Sequence, residues 1–449
     1  MNIDTSRFQF LADALNGRGV FRPTVTYDSA GRAASTGSTA LVRYQRESEE
    51  KFARRNEVAW YENHLLSACR RFVGYIAKKP PLREIGHPLL EDFVADCDWR
   101  GNALDVFWQG FMVEARARGS MLLLVDMPRG EAATLADQRE QRFFPYLVAI
   151  PPERIVAFAL NDQGKIARVE IESVWDGKRA VKGWDAKRWW VRVDEREVDG
   201  DNHPLGVCPV LAFSESGDFP TFGDFAQIAD ISRRLFNARS ELDEILRAQT
   251  FSILVAGYPA DQAGARESLE NAVIQIGTSN ALVTPGQVAE FIAPPDGPAS
   301  IYMDAIAKLE QAIDRASLNV EIPAEKQAES GIALTVRFQA LNSALTSFAR
   351  RMEDFERQVW EVASLWLGLP PERAAIRWAK DYAIGDAKAE LEILSAMQMS
   401  GFPDAAVRLQ QKAIAALVFA AGDPDEAQAA IAAIDESSSE VTPPPPPAP

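Results

Sequence analysis

Residues 331–367 read GIALTVRFQALNSALTSFARRMEDFERQVWEVASLWL, and within them Leu334, Phe338, Leu341, Leu345, Phe348, Met352, Phe355, Val359, Val362 and Trp366 recur alternately four and three residues apart. That spacing gathers the apolar side chains on one stripe of a helix. At about 1.5 Å per residue, a helix over 331–367 is about 55 Å long. Such a stripe covers either the core of its own subunit or a neighbouring copy, and the spacing alone serves both.

Upstream, residues 321–330 are small and polar around Pro323, which breaks a helical pattern over 300–320 carried by Tyr302, Ile306, Leu309, Ile313 and Ala316. Before it lies an insert, 251–299, of different texture. Strand-like Phe251–Val255, a short helical stretch around Arg266–Ala272, then Asn280–Thr284 and Val288–Ile292 alternate with glycines and prolines, which predicts a small α/β module. Residues 223–250 return to helical period, with Phe225, Ile228, Ile231, Leu235, Leu242 and Ile245 on one face. The order is therefore helix, insert, helix, break, very long helix.

Nearer the start, Met1 to about Thr39 is small, polar and glycine-containing and reads as a flexible arm. A helix is expected between Tyr44 and Ile76, stopped by Lys78-Lys79-Pro80-Pro81, and another over Asp98–Gly119. Met121–Asp126 has the continuous apolar character of a buried strand. Arg154–Leu160, Lys165–Val174 and Arg188–Val193 predict an antiparallel meander, with 40–222 as one α/β domain. After the long helix, 331–385 returns to that domain, 386–422 is a helical pair joined at Ser400-Gly401, and 423–449 is an acidic, proline-rich tail. The fold class expected is α+β, mainly helical.

Forty-eight basic against sixty-four acidic residues give a formal charge of −16, which argues against a broad basic surface gripping nucleic acid. Cys69, Cys97 and Cys208 are few and scattered, as for buried thiols outside a disulfide framework. The start, Met1-Asn2-Ile3-Asp4, shows no basic and apolar leader, and no apolar run is long enough to span a bilayer, so synthesis in the cytoplasm is expected. No GxxxxGK[ST] or GxGxxG loop is present, and His64, His87 and His203 have no zinc-ligand spacing. Ser214-Glu215-Ser216-Gly217 lacks the first glycine of a nucleophile elbow, and acidic pairs such as Asp243-Glu244 and Glu353-Asp354 lie beside arginines on helix faces, as solvated surface does. No catalytic residue, metal or cofactor is assigned, and the chain is expected not to be an enzyme.

The order of elements resembles that of the portal proteins of tailed bacteriophages, the head-to-tail connector family, with wing, stem, clip and crown. Short matches lie at Lys78–Pro81 and Pro145–Val148 in the wing, at Phe222–Asp224 through Ser240–Asp243 to Ile253–Tyr258 where the first stem helix enters the clip, and at Glu329–Leu334 where the helix after the tunnel loop begins. The resemblance spans about Tyr44 to Met399. It implies a wing (40–222), stem helices (223–250, 300–320), a clip (251–299), a tunnel loop (321–330) and a helical crown (386–422). Tunnel-loop candidates are Glu321, Glu325, Lys326, Glu329 and Ser330; clip candidates for partner docking are Phe251, Ile253, Val255, Tyr258 and Phe291.

The resemblance further implies a virion protein at the capsid portal vertex: a ring of twelve subunits passing double-stranded DNA with weak contacts during genome packaging and ejection. Its implied partners are the terminase large subunit, a head-to-tail adaptor, and the major capsid and scaffolding proteins, with no membrane. Two other classes compete. One is an enzyme working through carboxylates that look like surface, which two acids converging in a deep pocket with raised pKa values would favour. The other is a cytoplasmic helical scaffold of host origin, which neighbouring genes would identify.

Overall fold

The computed structural model describes residues 5–22, 24–27, 33–36, 40–45, 47–130, 132, 134–250, 253–258, 282–285, 290–292, 297–319, 331–370, 375–382, 387–418 and 429–434. The chain divides into two compact units, Met1–Asp381 and Tyr382–Pro449.

The first unit opens on α1 (Ser6–Asn16), whose Phe8, Leu11 and Leu15 are buried against later helices, so the reading of residues 1–39 as a flexible arm is wrong over this stretch. The three apolar residues share one helical face, and burial outweighs the polar composition around them. Tyr61 and Asn63 donate to the carbonyls of Ala14 and Leu15 at its end, and Gly17 closes it in the left-handed conformation. Within the same stretch β1 (Thr24–Tyr27) pairs antiparallel with β2 (Ala33–Thr36).

The single helix expected over 44–76 is two, α2 (Glu49–Val58) and α3 (His64–Ala77); Asn63 caps the second by accepting from the Leu66 amide. After β3 (Leu82–Glu84) and α4 (Pro88–Ala95), the helix expected from Asp98 begins later, as α5 (Leu104–Arg118). The Asp98 carboxylate instead holds a turn, accepting from the Arg100 and Asn102 amides and the Asn102 side chain.

The buried strand is β4 (Ser120–Asp126). After α6 (Leu135–Glu140) comes β5 (Tyr146–Ile150), antiparallel to β4. The meander follows as β6 (Ile155–Leu160), β7 (Ile166–Trp175), β8 (Lys178–Asp185), β9 (Arg188–Val193) and β10 (Arg196–Asn202), five antiparallel strands in sequence order. Two of them, β8 and β10, escape sequence reading because their charges interrupt the apolar alternation. The chain then returns as β11 (Val210–Ser214) on the other edge of β4. Leu122, Leu124, Ile150, Phe158, Val169, Trp184 and Val210 close one core between the two sheets.

Helix α7 (Ala226–Thr250) leads to β12 (Ile253–Tyr258), which pairs parallel with β13 (Leu282–Pro285) and antiparallel with β14 (Glu290–Ile292); α8 (Gly297–Ala316) packs back on α7. A parallel pair requires a crossover connection rather than a tight hairpin turn. The helical stretch expected near Arg266–Ala272 lies outside the described residues.

Helix α9 (Gly331–Trp366), 36 residues long, carries the quoted stripe. From Leu341 onward the stripe faces its own subunit: Phe348 meets Phe72 of α3, and Phe355 meets Trp108 and Phe111 of α5 and Phe213 of β11. Leu345, Met352, Val359 and Val362 are buried with them, while Phe338 is half-exposed. Between the two uses left open by the spacing, core packing takes these positions. Finally β15 (Ala375–Arg377) pairs with β3, bringing residues after α9 back to the chain's first third.

The second unit contains α10 (Ala387–Met399) and α11 (Asp404–Val418), which pack on each other across a turn at Gly401, where φ is +68°. No helix among the described residues is long and apolar enough to cross a membrane.

Candidate functional site at the root of a helical hairpin

The α7–α8 hairpin is antiparallel: Arg239 donates to Glu310 at 2.7 Å, and two residues further along α7 Glu241 hydrogen-bonds Tyr302, earlier on α8. Its root is held by residues from far apart in sequence. Arg7 of α1 forks onto Asp230 with two 2.6 Å bonds. The Asn237 side chain clamps an extended strap, accepting from the Val42 amide at 2.8 Å and donating to the Ala40 carbonyl at 2.9 Å.

Behind that strap lies Arg55, one per cent exposed, which donates to both oxygens of Glu47 (2.9 and 2.8 Å), to the Val42 carbonyl (2.6 Å) and to Ser240 Oγ of α7 (3.3 Å). A buried guanidinium needs this many acceptors to offset its lost hydration. The Arg55 bond holds the Glu47 carboxyl below the usual range, while burial, then Glu241, raises the Tyr44 phenol. Arg239 adds an ion pair to Glu62 and lies over the exposed Trp60 ring.

A second anchor sits where α7 begins. Arg116 of α5 lies between the rings of Phe72 (4.3 Å) and Phe225 (4.0 Å) and donates to Glu215 at 2.9 Å, with Asp224 at 3.9 Å. Gly119 and Gly223 meet backbone to backbone at the same point: Gly223 donates to the Arg118 carbonyl and Glu215 to that of Gly119. Burial pushes the Glu215 carboxyl up to about 7, against the pull of Arg116. One Glu215 oxygen has no hydrogen-bond partner among the described residues, consistent with that direction.

The sign of the pH effect follows. Between about 4.5 and 7 the folded protein holds a proton on Glu215 that the unfolded chain has released, so this group's contribution to stability is lost as pH rises through that window. Glu215→Gln is expected to remove this dependence. Urea midpoints measured from pH 5 to 8 should show wild type losing stability relative to the variant; parallel curves would contradict it.

The predicted residues fall as follows. Glu321, Glu325, Lys326, Glu329 and Ser330 lie outside the described residues, as does Phe251. Ile253, Val255 and Tyr258 lie on β12 and Phe291 on the adjacent β14, so the four belong to one small sheet; the register sets Leu254, not Ile253 or Val255, opposite Phe291. Leu334 lies in the first turn of α9. Ser214 and Ser216 serve a turn, sharing the Asp218 carbonyl and Thr221 hydroxyl. The thiols of Cys97 and Cys208 are pushed by burial up to about 12. His87 caps α4, and no cluster of metal ligands occurs among the described residues. The anchors Arg55, Arg116 and Arg239 were missed by sequence reading; only an arginine among apolar residues, as in Met112–Ala117, signals such a site.

Sequence comparison finds no matching protein-family profile and no matching curated protein. Structure comparison finds chains of gene transfer agent particles: one in the native virion (13% identity, TM-score 0.44, 88% of this chain and 96% of that one) and one in the neck of the empty particle with C6 symmetry (12%, 0.45, 80% and 95%). It also finds an HK97-family phage portal protein from Corynebacterium diphtheriae (11%, 0.35, 71% and 92%).

Proposed function

We propose that this chain is the portal subunit of a tailed-phage-type particle: a non-enzymatic protein that assembles, as twelve copies, into the ring at one capsid vertex through which double-stranded DNA passes. The observation that carries the reading is the rooted hairpin. Two long antiparallel helices lead to and from a small mixed sheet, stand on an α/β body through buried arginines, and are followed by a 36-residue helix that runs through the body's core. In this reading the body is the wing, α7 and α8 the stem, the β12–β14 sheet the clip that meets the terminase during packaging and the head-to-tail adaptor afterwards, 321–330 the tunnel loop, and the second unit the crown. Capsid and scaffolding proteins are the remaining partners, and a net acidic subunit lets the polyanion slide without tight contact.

The hairpin supports ring formation directly. Helix α8 buries Ala299, Ile306 and Ile313 but leaves Ile301 68% and Met303 59% exposed; two residues apart on a helix, they lie on different sides of it, as apolar points that the neighbouring copies on either side in a ring would cover. An enzyme reading is less well supported. Among the described residues the one carboxyl with a raised pKa, Glu215, is engaged by Arg116, and its acidic neighbour Asp224 is exposed.

Electron microscopy of particle-derived material should show rings with an axial hole; compact monomers would overturn the proposal. Ile301→Asp with Met303→Asp should abolish rings while the circular dichroism and melting of the subunit stay unchanged. Rings formed normally by that double variant would remove α8 from the interface.

A further inference from the structure

Strand β8 has one face in the core. Ala180 and Trp184 are buried there, and by the two-residue period of a strand Lys182 between them lies on the same face. Its cross-strand neighbours Ile171 and Val191 are buried too. Lys182 itself is half-buried, and an ammonium drawn partly out of water is favoured by a negative charge beside it. Among the described residues Lys182 has no hydrogen-bond or ion-pair partner; its Nζ lies 4.9 Å from the Trp184 ring and 5.4 Å from that of Trp189. Burial holds its pKa below the usual lysine range, with Asp126 and Asp199 opposing and Arg129 adding to the effect.

A cleft of about 690 Å³ that Lys182 lines is walled by Tyr146, Trp175, Trp189 and Trp366, the proportions of a small-molecule site. Its other charges are largely engaged. Asp126 accepts from the Tyr146 hydroxyl at 3.0 Å, Asp199 from Arg129 at 3.2 Å, and Asp201 from the Asn202 amide at 2.8 Å; the Arg129 guanidinium lies over Trp189. His203 Nε2 is bonded to the Asp185 carbonyl at 3.0 Å. Three carboxylates against Lys182 and Arg129 repel a polyanion such as DNA, whereas one compact negative charge placed on Lys182 Nζ would give it the direct hydrogen bond that the more distant Asp126 and Asp199 do not.

We propose that this cleft binds a small aromatic monocarboxylate, its carboxylate on Lys182 Nζ and its ring against the aromatic wall formed with Trp175 and Trp366. Every residue that lines the cleft comes from one copy of the chain, so the proposal does not rest on the ring reading.

The test is calorimetric titration of the full chain with naphthalene-1-acetate, against the neutral 2-(1-naphthyl)ethanol and the cationic 1-naphthylmethylamine. The acid is expected to bind at least about tenfold more tightly than the alcohol, the worth of one charge-assisted hydrogen bond. Lys182→Met, which keeps the side chain's length, should erase that preference and raise the melting temperature. Trp175→Leu should weaken acid and alcohol alike. Equal binding of acid and alcohol to wild type, the preference surviving in Lys182→Met, or no binding at millimolar acid would overturn the proposal. Tighter binding of a peptide ending in a tryptophan carboxylate would overturn the small-molecule assignment.

Discussion

Glu356→Ala is expected to destabilise the first unit by about 3–5 kcal/mol, the usual consequence of removing one member of a fully buried ion pair. Glu356 has no exposed surface, although it lies in the middle of α9 beside Arg357. One of its oxygens accepts from Arg83 Nε at 2.5 Å and from Trp360 Nε1 at 3.3 Å, and the other from Trp378 Nε1 at 2.8 Å. Alanine would leave Arg83 with only Asp105, at 2.7 Å, and strand two indole donors. Because Arg83 is on β3 and Trp378 follows β15, the loss loosens the two-stranded ladder from the long helix, leaving the bond from the Trp378 amide to Glu353 as the nearest remaining tie. Urea unfolding measures it. Glu356→Gln, which keeps the shape, should lose less; a loss under about 1 kcal/mol for alanine would mean that Arg83 finds another acceptor.

Gly119→Ala is the second large effect, expected to cost more than about 3 kcal/mol and to leave most of the protein insoluble. Gly119 has φ +84°, and a β-carbon there would overlap the backbone of Phe222 and Gly223, which cannot yield as a side-chain tip does. The contact lies between the end of α5 and the start of α7, so relieving it shifts the hairpin root and the Arg116–Glu215 pair beside it. Gly110→Ala is the control: it lies on the same helix with nothing near its β-carbon, and should stabilise by about 0.5–1 kcal/mol. Differential scanning of the two variants together separates the close approach from any general effect of filling a glycine.

The long helix was legible because Leu341, Leu345, Phe348, Met352, Phe355 and Val359 repeat at a local period, and local periods survive in sequence without knowledge of the fold. Three of the five meander strands, β6, β7 and β9, and the helical pair at 387–418 were legible for the same reason. Sequence reading missed α1 because loop composition over 28–38 masked three apolar residues at helical spacing, Phe8, Leu11 and Leu15. It merged α2 and α3 because the break at 59–63 contains no proline or glycine and is fixed instead by the Asn63 cap. Of the candidate sites, the small sheet was placed by its strand-like runs, whereas its parallel and antiparallel pairing was not.

Sequence by itself determined the order of elements and the helix, insert, helix succession, since those depend on hydrophobic period, turn residues and proline breaks within some ten neighbours. Tertiary structure alone decided that the stripe from Leu341 to Val362 is spent inside the subunit, that Arg55, Arg116 and Arg239 root the hairpin, and that half-buried Lys182 lines an aromatic cleft with no hydrogen-bond or ion-pair partner among the described residues. Contacts of this kind join residues far apart in the chain, 185 positions for Arg55 and Ser240 and 273 for Arg83 and Glu356. A charge's partner is set by three-dimensional proximity and desolvation, and neither leaves a period in the chain.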